Sequence, residues 1–279
     1  MSGRAGWLAL GASVAGTAHV DYGRGCEDRF HIKYLQDTGI ALVVADGAGS
    51  AVAGAEGADA ATRGVAKYLQ DFAHVTSPAS VAQWLETLKA IIAAARSAVE
   101  DEFTLTSGGD NPEATRDSPD NDMGNGDAPG LGDLATTLIV VIARAGWIGV
   151  SQIGDGCVVA RTVTGEIQAI GHPEASVHVN ETRFLTDADY KEHARYFVCP
   201  AQNFNGIAVL SDGLQFLAYD MKTQSPFAPF FCPLFEFAAR LGATEAELEA
   251  FLRSPRVCAR TTDDKTLVLA VRSKVGKPK

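Results

Sequence analysis

Short apolar runs of strand length, each ending in an acid and a glycine, are the feature that most restricts the fold of this chain. The clearest is IALVVADG, in which an unbroken apolar run reaches Asp46 and Gly47. The arrangement returns in AVLSDG, where Asp212 follows another apolar run. Apolar runs of about four to eight residues bounded by turn residues are typical of buried strands. The pattern therefore predicts a strand-rich core with carboxylates at the strand ends.

The remaining apolar runs divide into strands and helices by their spacing. Further strands are predicted in WLALGASV, DRFHIKYL, LATTLIVVIA, GWIGVSQI, GCVVARTV, EIQAI and KTLVLAVR. The middle strands are joined by short turns containing glycine, which predicts a meander of hairpins. Helical spacing predicts helices at about 51–72, 80–103, 230–241 and 244–252, and Thr244 and Glu247 have the spacing of a capping box. This order does not alternate like a βαβ fold and indicates antiparallel sheets with helices packed outside.

The length and the composition favour one domain. A chain of 279 residues with 46% hydrophobic and 21% charged residues can bury one large core, so we expect a single domain over 1–279. The segment at about 107–133 has almost no large apolar residue and is predicted to be a flexible polar insert. Its acids lack the spacing of an EF-hand loop. The polar segment 171–181 is also expected to be mobile, and the basic end at about 273–279 is expected to be a solvated tail.

Charge and cysteine content exclude several classes of partner. Twenty-four basic and 34 acidic residues give a net charge of −10, and no basic stripe suits nucleic acid or an anionic membrane. No apolar run approaches the roughly 20 residues that span a bilayer. The apolar N-terminal segment is interrupted by Gly11 and Ser13, which favours a strand over a secretory signal. Five cysteines without a CxxC pair suit a reduced, cytoplasmic protein.

Five predicted strand ends carry acids, and together they indicate a metal site. The acids are Glu27 and Asp28, Asp46, Asp155, Asp212, and Asp263 with Asp264. Two carboxylates about 4 Å apart repel by about 4 kcal/mol at an effective dielectric constant of 20, so acids that converge need a cation between them. Oxygen ligands favour magnesium or manganese over zinc. A pair of such ions suits the hydrolysis of phosphate esters.

The ordered motifs GCEDRF, VVADGAGS, LATTLIVVIA, SQIGDGCVVAR, AVLSDGL and TDDKTLVLAV resemble the metal-dependent PPM, or type 2C, family of serine/threonine protein phosphatases. The resemblance spans nearly the whole chain, and GASVAGTAHVDYGRGCED is similar to a bacterial branch of the family. It implies an α+β fold, a four-layer α-β-β-α sandwich with two mainly antiparallel sheets and a metal cleft at one edge. It also implies two or three Mn²⁺ or Mg²⁺ ions and hydrolysis of phosphoserine and phosphothreonine by a metal-bridging hydroxide, without a phosphoenzyme.

The resemblance also implies roles for the acids. Asp46 would bridge two metals, and the Gly47 carbonyl would be a further ligand of one of them. Asp212 and Asp263 would complete the protein ligands of the other metal. The remaining acids, Glu27 and Asp28 acting mainly through metal-bound water and Asp155 at a weaker third ion, would complete the centre.

One part of the family pattern is missing from this chain. Many members place an arginine that binds phosphate five residues before the acid equivalent to Asp28, and that position is Gly23 here. The neighbouring Arg24 or, alternatively, His19 would then contact the phosphate. Equally, Arg24 could be a solvated loop residue and His19 a hydrogen-bonded histidine of a strand. Asp264 stands where an asparagine is common, so it is a candidate for supporting the ligands.

Two other functions compete with hydrolysis. A nucleotide-binding loop in DGAGSAVAG fails because Val52 occupies the position of the third glycine. A pseudophosphatase that binds partners with the same fold is the alternative function, although the retained Asp46, Asp212 and Asp263 favour an enzyme. The partners implied by the resemblance are a phosphorylated protein and a cognate serine/threonine kinase or its targets, and we expect a monomer.

Overall fold

Two five-stranded antiparallel sheets form the centre of the chain in a computed structural model that describes residues 6–73, 77–107, 129–171, 182–220, 222–223 and 225–273. In chain order the strands are β1 (Trp7–Val14), β2 (Arg29–Leu35), β3 (Gly39–Ala45), β4 (Leu138–Arg144), β5 (Trp147–Ile153), β6 (Cys157–Thr162), β7 (Ile167–Ala169), β8 (Arg195–Pro200), β9 (Phe204–Leu210), β10 (Tyr219–Asp220), β11 (Ser225–Pro226) and β12 (Lys265–Arg272). One sheet has the order β1-β12-β9-β6-β7, and the other has the order β2-β3-β4-β5-β8. Strands β10 and β11 form a separate hairpin.

The longer helices lie at the outer faces of the sheets. In chain order they are α1 (Thr17–Asp21), α2 (Gly54–Phe72), α3 (Val81–Ser107), α4 (Tyr190–His193), α5 (Gln215–Ala218), α6 (Ala228–Ala239), α7 (Glu245–Leu252) and α8 (Pro255–Cys258). Short 3-10 turns occupy 131–134, 201–203 and 212–214. Within the described ranges, none of these helices combines the length and the apolarity that a membrane span requires.

Three apolar clusters separate four layers. Residues of both sheets, among them Leu42 and Val209, form the cluster between the sheets. Alternate residues of β3, such as Val43, point the other way and pack with α2 and α3. The outer face of the other sheet packs on α6 and α7 through residues such as Phe231. Because side chains alternate along a strand, each fully apolar strand can serve two clusters, and the α-β-β-α sandwich follows.

Most predicted elements are present with shifted ends. The first long helix begins at Gly54, the second continues to Ser107, and the strand in LATTLIVVIA begins at Leu138. Strand β8 and helix α1 were not predicted, because both are short and lack a clear apolar period. Since α1 contains His19, the strand alternative for this histidine is wrong. The predicted polar insert, the mobile segment and the basic tail lie almost entirely outside the described residues.

The predicted meander of hairpins is wrong at the turn from β5 to β6. These two strands lie in different sheets, and the turn crosses the edge of the sandwich. Gly154 has a φ of +99°, which only glycine adopts readily. The buried Gln152 side chain holds the turn, because its Nε2 donates to the carbonyls of Gly154 at 3.2 Å and Gly156 at 2.6 Å. An apolar run such as CVVA suits either sheet, so its sequence does not specify which sheet it joins.

The predicted capping box is confirmed and provides a test of local stability. Thr244 Oγ1 accepts from the backbone N–H of Glu247 at 3.3 Å, and Glu247 Oε2 accepts from the N–H of Thr244 at 3.1 Å. We expect Thr244→Ala to lower the free energy of unfolding by about 1 kcal/mol, measured by urea denaturation. Thr87→Ala is a matched control, because the Thr87 hydroxyl bonds within the middle of α3. Equal losses in the two variants would contradict a capping role.

Candidate metal centre

Acidic residues from both sheets meet at one edge of the sandwich. Arg29 at the start of β2 pairs with Ala45 at the end of β3, so Asp28 and Asp46 stand side by side one residue further on. In the other sheet, Asp212 follows the end of β9, where the neighbouring strand β12 begins. The hydroxyl of Ser211 donates to Asp28 Oδ2 at 2.8 Å and links the two sheets. The antiparallel register thus brings acids that are far apart in sequence to one edge.

The backbone of Asp46 is held rigidly by the start of the neighbouring strand. Its N–H donates to Thr137 Oγ1 at 3.1 Å, and its carbonyl accepts from the Thr137 N–H at 2.8 Å and the Thr136 hydroxyl at 3.0 Å. Both threonines are buried. These bonds leave the carboxylate of Asp46 as the group that faces the other acids.

Gly47 is required by the close packing of its loop on the start of α2. A Cβ at this position would lie 2.4 Å from the carbonyl carbon of Gly54, closer than atoms can approach. The next residue, Ala48, donates its N–H to the carbonyl of Ala135 at 2.9 Å. The loop after Asp46 therefore packs so closely on α2 that only glycine fits at position 47.

Three of the gathered carboxyl groups have raised pKa values. Burial is the main cause for each. It raises the pKa of Asp28 to about 7 with help from the charge of Asp264, and the pKa of Asp212 to about 6 with help from Asp155 and Asp263. Burial and the charges of Asp28 and Asp212 raise the pKa of Asp46 well above its ordinary value. The neighbouring Asp212 carboxyl group, through its charge and its hydrogen-bond contact, adds to the raised pKa of Asp46.

The donor set fits a hard divalent cation. Glu27 Oε2 and Asp28 Oδ1 are buried and accept no hydrogen bond within the described part of the chain. Buried carboxylate oxygens without partners, next to acids with raised pKa values, are sites where a cation can supply the missing charge. Among the residues described, no three acidic, histidine or cysteine side chains already stand in coordinating geometry. Acids that repel one another close around a cation only when it binds, so the raised pKa values are the sign of this site in the metal-free chain.

The other predicted ligands lie around this group. Asp263 is exposed, and its charge contributes to the raised pKa values of Asp46 and Asp212. Asp155, in the turn between β5 and β6, accepts from the Thr182 hydroxyl at 2.8 Å, and its charge acts on Asp212. The structure thus brings Asp263 and Asp155 close to the central acids, at the rim of the same edge.

Arg24 joins two parts of the site. Its guanidinium donates to Glu27 Oε1 and, at 3.0 Å, to the Gly49 carbonyl in the loop after Asp46. The side chain is 40% exposed. Since a guanidinium has five N–H donors, Arg24 keeps donors for an anion beside the acids. The solvated-loop alternative for Arg24 is therefore incomplete, because the residue is also bonded to the site.

Asp264 is buried behind the site and holds neighbouring backbone in place, which its sequence position did not predict. Its carboxylate is 4% exposed and accepts from the backbone N–H of Gly16 at 2.6 Å and of Glu27 at 2.5 Å. His19 Nδ1 lies 2.9 Å from Asp264 Oδ1, and His19 Nε2 faces Gly49. The sequence pattern also did not predict that Thr137 and Ser211 support the site. The only sequence feature that marks these two residues is a hydroxyl at the end of an apolar strand.

The raised pKa values predict that chelated protein is more stable in mild acid. A carboxyl group whose pKa is higher in the folded chain binds protons more tightly there, so stability falls as pH rises through that pKa. With pKa values of about 7 for Asp28 and about 6 for Asp212, protonation of the two groups together should give a gain of roughly 4 kcal/mol on going from pH 8 to pH 5. Urea denaturation after chelation measures this, and Asp28→Asn should reduce the gain. Constant stability over this range would contradict the assignment.

Comparison with known proteins identifies the family of this chain. Residues 15–253 match the model of the protein phosphatase 2C family. Serine/threonine-protein phosphatase 3 of Escherichia coli strain K12 is 30% identical over 276 residues, which cover 95% of this chain and 98% of that protein.

Two solved structures share the fold. The Stp1 phosphatase of Staphylococcus aureus has a TM-score of 0.60 at 15% identity, covering 98% of this chain and 99% of that one. The catalytic domain of PstP, solved with two manganese ions, has a TM-score of 0.60 at 18% identity, covering 96% and 99%. The match to the family model and the identity to the Escherichia coli protein lead to one conclusion: this chain belongs to the protein phosphatase 2C family.

Proposed function

We propose that this chain is a metal-dependent protein serine/threonine phosphatase. The observation that carries the proposal is the meeting of Asp28, Asp46 and Asp212 at one edge of the two sheets, with pKa values raised by burial and mutual repulsion. Such a group of acids is costly for folding and useful only with cations. Membership of the family supplies the reaction class, hydrolysis of a phosphate monoester on serine or threonine.

In the proposed site, each acid has a distinct task. Asp46 and the Gly47 carbonyl would hold the ions on the rigid end of β3, and Asp212 and Asp263 would hold one ion from the other sheet. Glu27 and Asp28 would orient water, and Asp155 would help hold a weaker third ion. Manganese or magnesium suits these oxygen donors, and PstP was solved with two manganese ions. When bound, the ions would neutralise the acids, polarise the phosphoryl group and acidify a water molecule.

Arg24 is the group best placed to bind the phosphoryl oxygens. It is partly exposed and tied to both Glu27 and the loop after Asp46, so its free N–H groups lie beside the acids. His19 is less accessible, with 13% exposure, and its Nδ1 lies 2.9 Å from Asp264 Oδ1. We therefore assign the phosphate contact to Arg24 and assign His19 a place at the wall of the site.

Substitution of these two residues tests that assignment. A charged hydrogen bond contributes about 1.5 to 3 kcal/mol, so Arg24→Gln should lower kcat/KM for a phosphothreonine peptide about 10- to 100-fold. His19→Gln should lower kcat/KM less. Arg63→Gln is a matched control, because Arg63 lies on the outside of α2 and pairs with Asp59, which is not an acid of the site. A larger loss with His19→Gln than with Arg24→Gln would reverse the assignment.

The partners follow from the reaction. The substrate would be a phosphorylated protein, and the enzyme would oppose a cognate serine/threonine kinase by acting on its targets. We propose that the phosphatase acts as a monomer, because one chain supplies every acid of the site.

The function is tested by hydrolysis of p-nitrophenyl phosphate and a phosphothreonine peptide, with added manganese and after chelation. We expect turnover that requires manganese and returns when the metal is restored. Burst kinetics should reveal no phosphorylated enzyme. Folded, manganese-binding protein that hydrolyses neither compound would instead support a pseudophosphatase that binds partners.

A further inference from the structure

A cavity that is separate from the acidic site lies among α5, α6, α7 and α8. Its volume is about 760 Å³, within the range of roughly 300 to 1,000 Å³ found for small-molecule sites. Aromatic rings supply much of its wall, among them Phe216, Phe227, Phe230 and Phe251. Phe216 is 64% exposed and Phe227 is 46% exposed, so apolar surface here faces solvent. Such surface in a concave site favours an apolar ligand.

Two arginines give this cavity a positive charge. Arg256 and Arg260 both line it and stand one helical turn apart, at α8 and the turn that follows. Within the described part of the chain, neither guanidinium takes part in an ion pair or hydrogen bond. Like charges at this spacing repel each other. Two unpaired arginines at an aromatic wall, in a chain with a net charge of −10, indicate an anionic group as their partner.

The acids that line the cavity do not neutralise these arginines. Glu247 Oε1 accepts from Arg240 at 2.6 Å, and its Oε2 accepts from the Thr244 N–H in the capping box. Asp220 Oδ1 accepts from the N–H groups of Lys222 at 2.8 Å and Thr223 at 3.3 Å. Both acids therefore stabilise their own segments, and among the described residues neither forms an ion pair with Arg256 or Arg260, so the two guanidinium groups keep their donors for a ligand.

The rest of the cavity wall favours a small ligand over a peptide. Tyr219 is buried in this wall, and apart from Arg256 and Arg260 the lining side chains named above are apolar or already bonded. A peptide would bring a polar N–H and C=O with every residue, and burying them without partners is costly. A compact apolar body with one acidic group has no such cost.

We propose that this cavity binds a small amphipathic anion, with an aromatic body against the phenylalanine rings and a carboxylate or sulfonate between Arg256 and Arg260. The rings would contribute the binding energy of apolar burial and edge-to-face contact. The two guanidinium groups would hold the acidic group by charged hydrogen bonds and select anions over neutral compounds of the same shape.

Fluorescence titration with 8-anilinonaphthalene-1-sulfonate tests the proposal on the full chain after chelation. We expect saturable binding at one site, weakened at least tenfold in the double variant Arg256→Gln and Arg260→Gln. Arg253→Gln is the matched control, because Arg253 lies nearby, pairs with Glu249 and does not line the cavity. Phe216→Ser, at an exposed ring, should also weaken binding, and thermal melting confirms that each variant is folded.

Competition then separates charge from apolarity. Biphenyl-4-carboxylate should displace the dye at least tenfold better than biphenyl-4-methanol, which has the same body without the charge. Equal displacement by the two compounds, unchanged dye binding in the double arginine variant, or a lack of saturable binding would overturn the proposal. Displacement by an acidic phenylalanine-rich peptide but not by the carboxylate would also overturn it, in favour of a peptide groove.

Discussion

Asp46→Asn is expected to reduce turnover of a phosphothreonine peptide on the order of 1,000-fold, more than the roughly 10- to 100-fold typical of residues that only support a metal ligand. Asn has the shape of Asp but no charge, so it could not replace Asp46 in the proposed bridging of two cations. The neighbouring backbone bonds to Thr136 and Thr137 do not involve the side chain and should persist. Steady-state kinetics at saturating manganese measure the loss.

The same variant should be more stable than the wild type after chelation, which separates lost chemistry from lost folding. Burial and the charges of Asp28 and Asp212 raise the pKa of Asp46, so ionised Asp46 opposes folding when no cation is bound. Asp101→Asn, on the exposed side of α3, is a matched control that should change neither property. An Asp46→Asn enzyme with more than a tenth of wild-type turnover would rule out a bridging role.

Asp264→Ala is expected to lower the free energy of unfolding by about 3 kcal/mol. The change removes the acceptor of two buried N–H groups, those of Gly16 and Glu27, and an unsatisfied buried group costs about 1 to 3 kcal/mol. The change also removes the carboxylate that lies 2.9 Å from His19 Nδ1. Urea denaturation measures the loss, and turnover should fall because Glu27 is displaced from the site.

Asp264→Asn serves as the matched variant for this prediction. Its Oδ1 can accept one of the two N–H bonds, but its amide nitrogen cannot accept the other, so we expect a loss between those of the wild type and Asp264→Ala. A loss below about 1 kcal/mol for Asp264→Ala would mean that the two N–H groups find other acceptors. Asp264 would then be a buried neighbour of the site without a supporting role.

Local patterns predicted the individual elements well where a strong local cause exists. The apolar runs of β3 and β9 became buried strands, and the capping box at Thr244 formed as its spacing indicated. Helix α1 and strand β8 were missed because they are short and owe their conformation to neighbouring elements. The sheet change at Gly154 was missed because strands buried on both faces have no polar side to reveal their partner.

The sequence by itself determined which residues could serve a metal centre. Acids at five predicted strand ends, three of which are followed by glycine, restrict the candidates to a few positions, because a buried strand end tolerates a carboxylate only for a reason. Only the tertiary structure decided how those positions combine. The register of β2 on β3 places Asp28 beside Asp46, and the crossing at Gly154 carries Asp155 to the same edge.

The tertiary structure also decided the roles that local pattern leaves open. Arg24 and His19 lie five residues apart, yet one faces the acids with free donors and the other is paired with Asp264. The cavity with Arg256 and Arg260 likewise has no motif, since its wall comes from four separate helices. The physical reason is the same in each case: charge and burial depend on distances in space, and those distances are set when distant segments pack together.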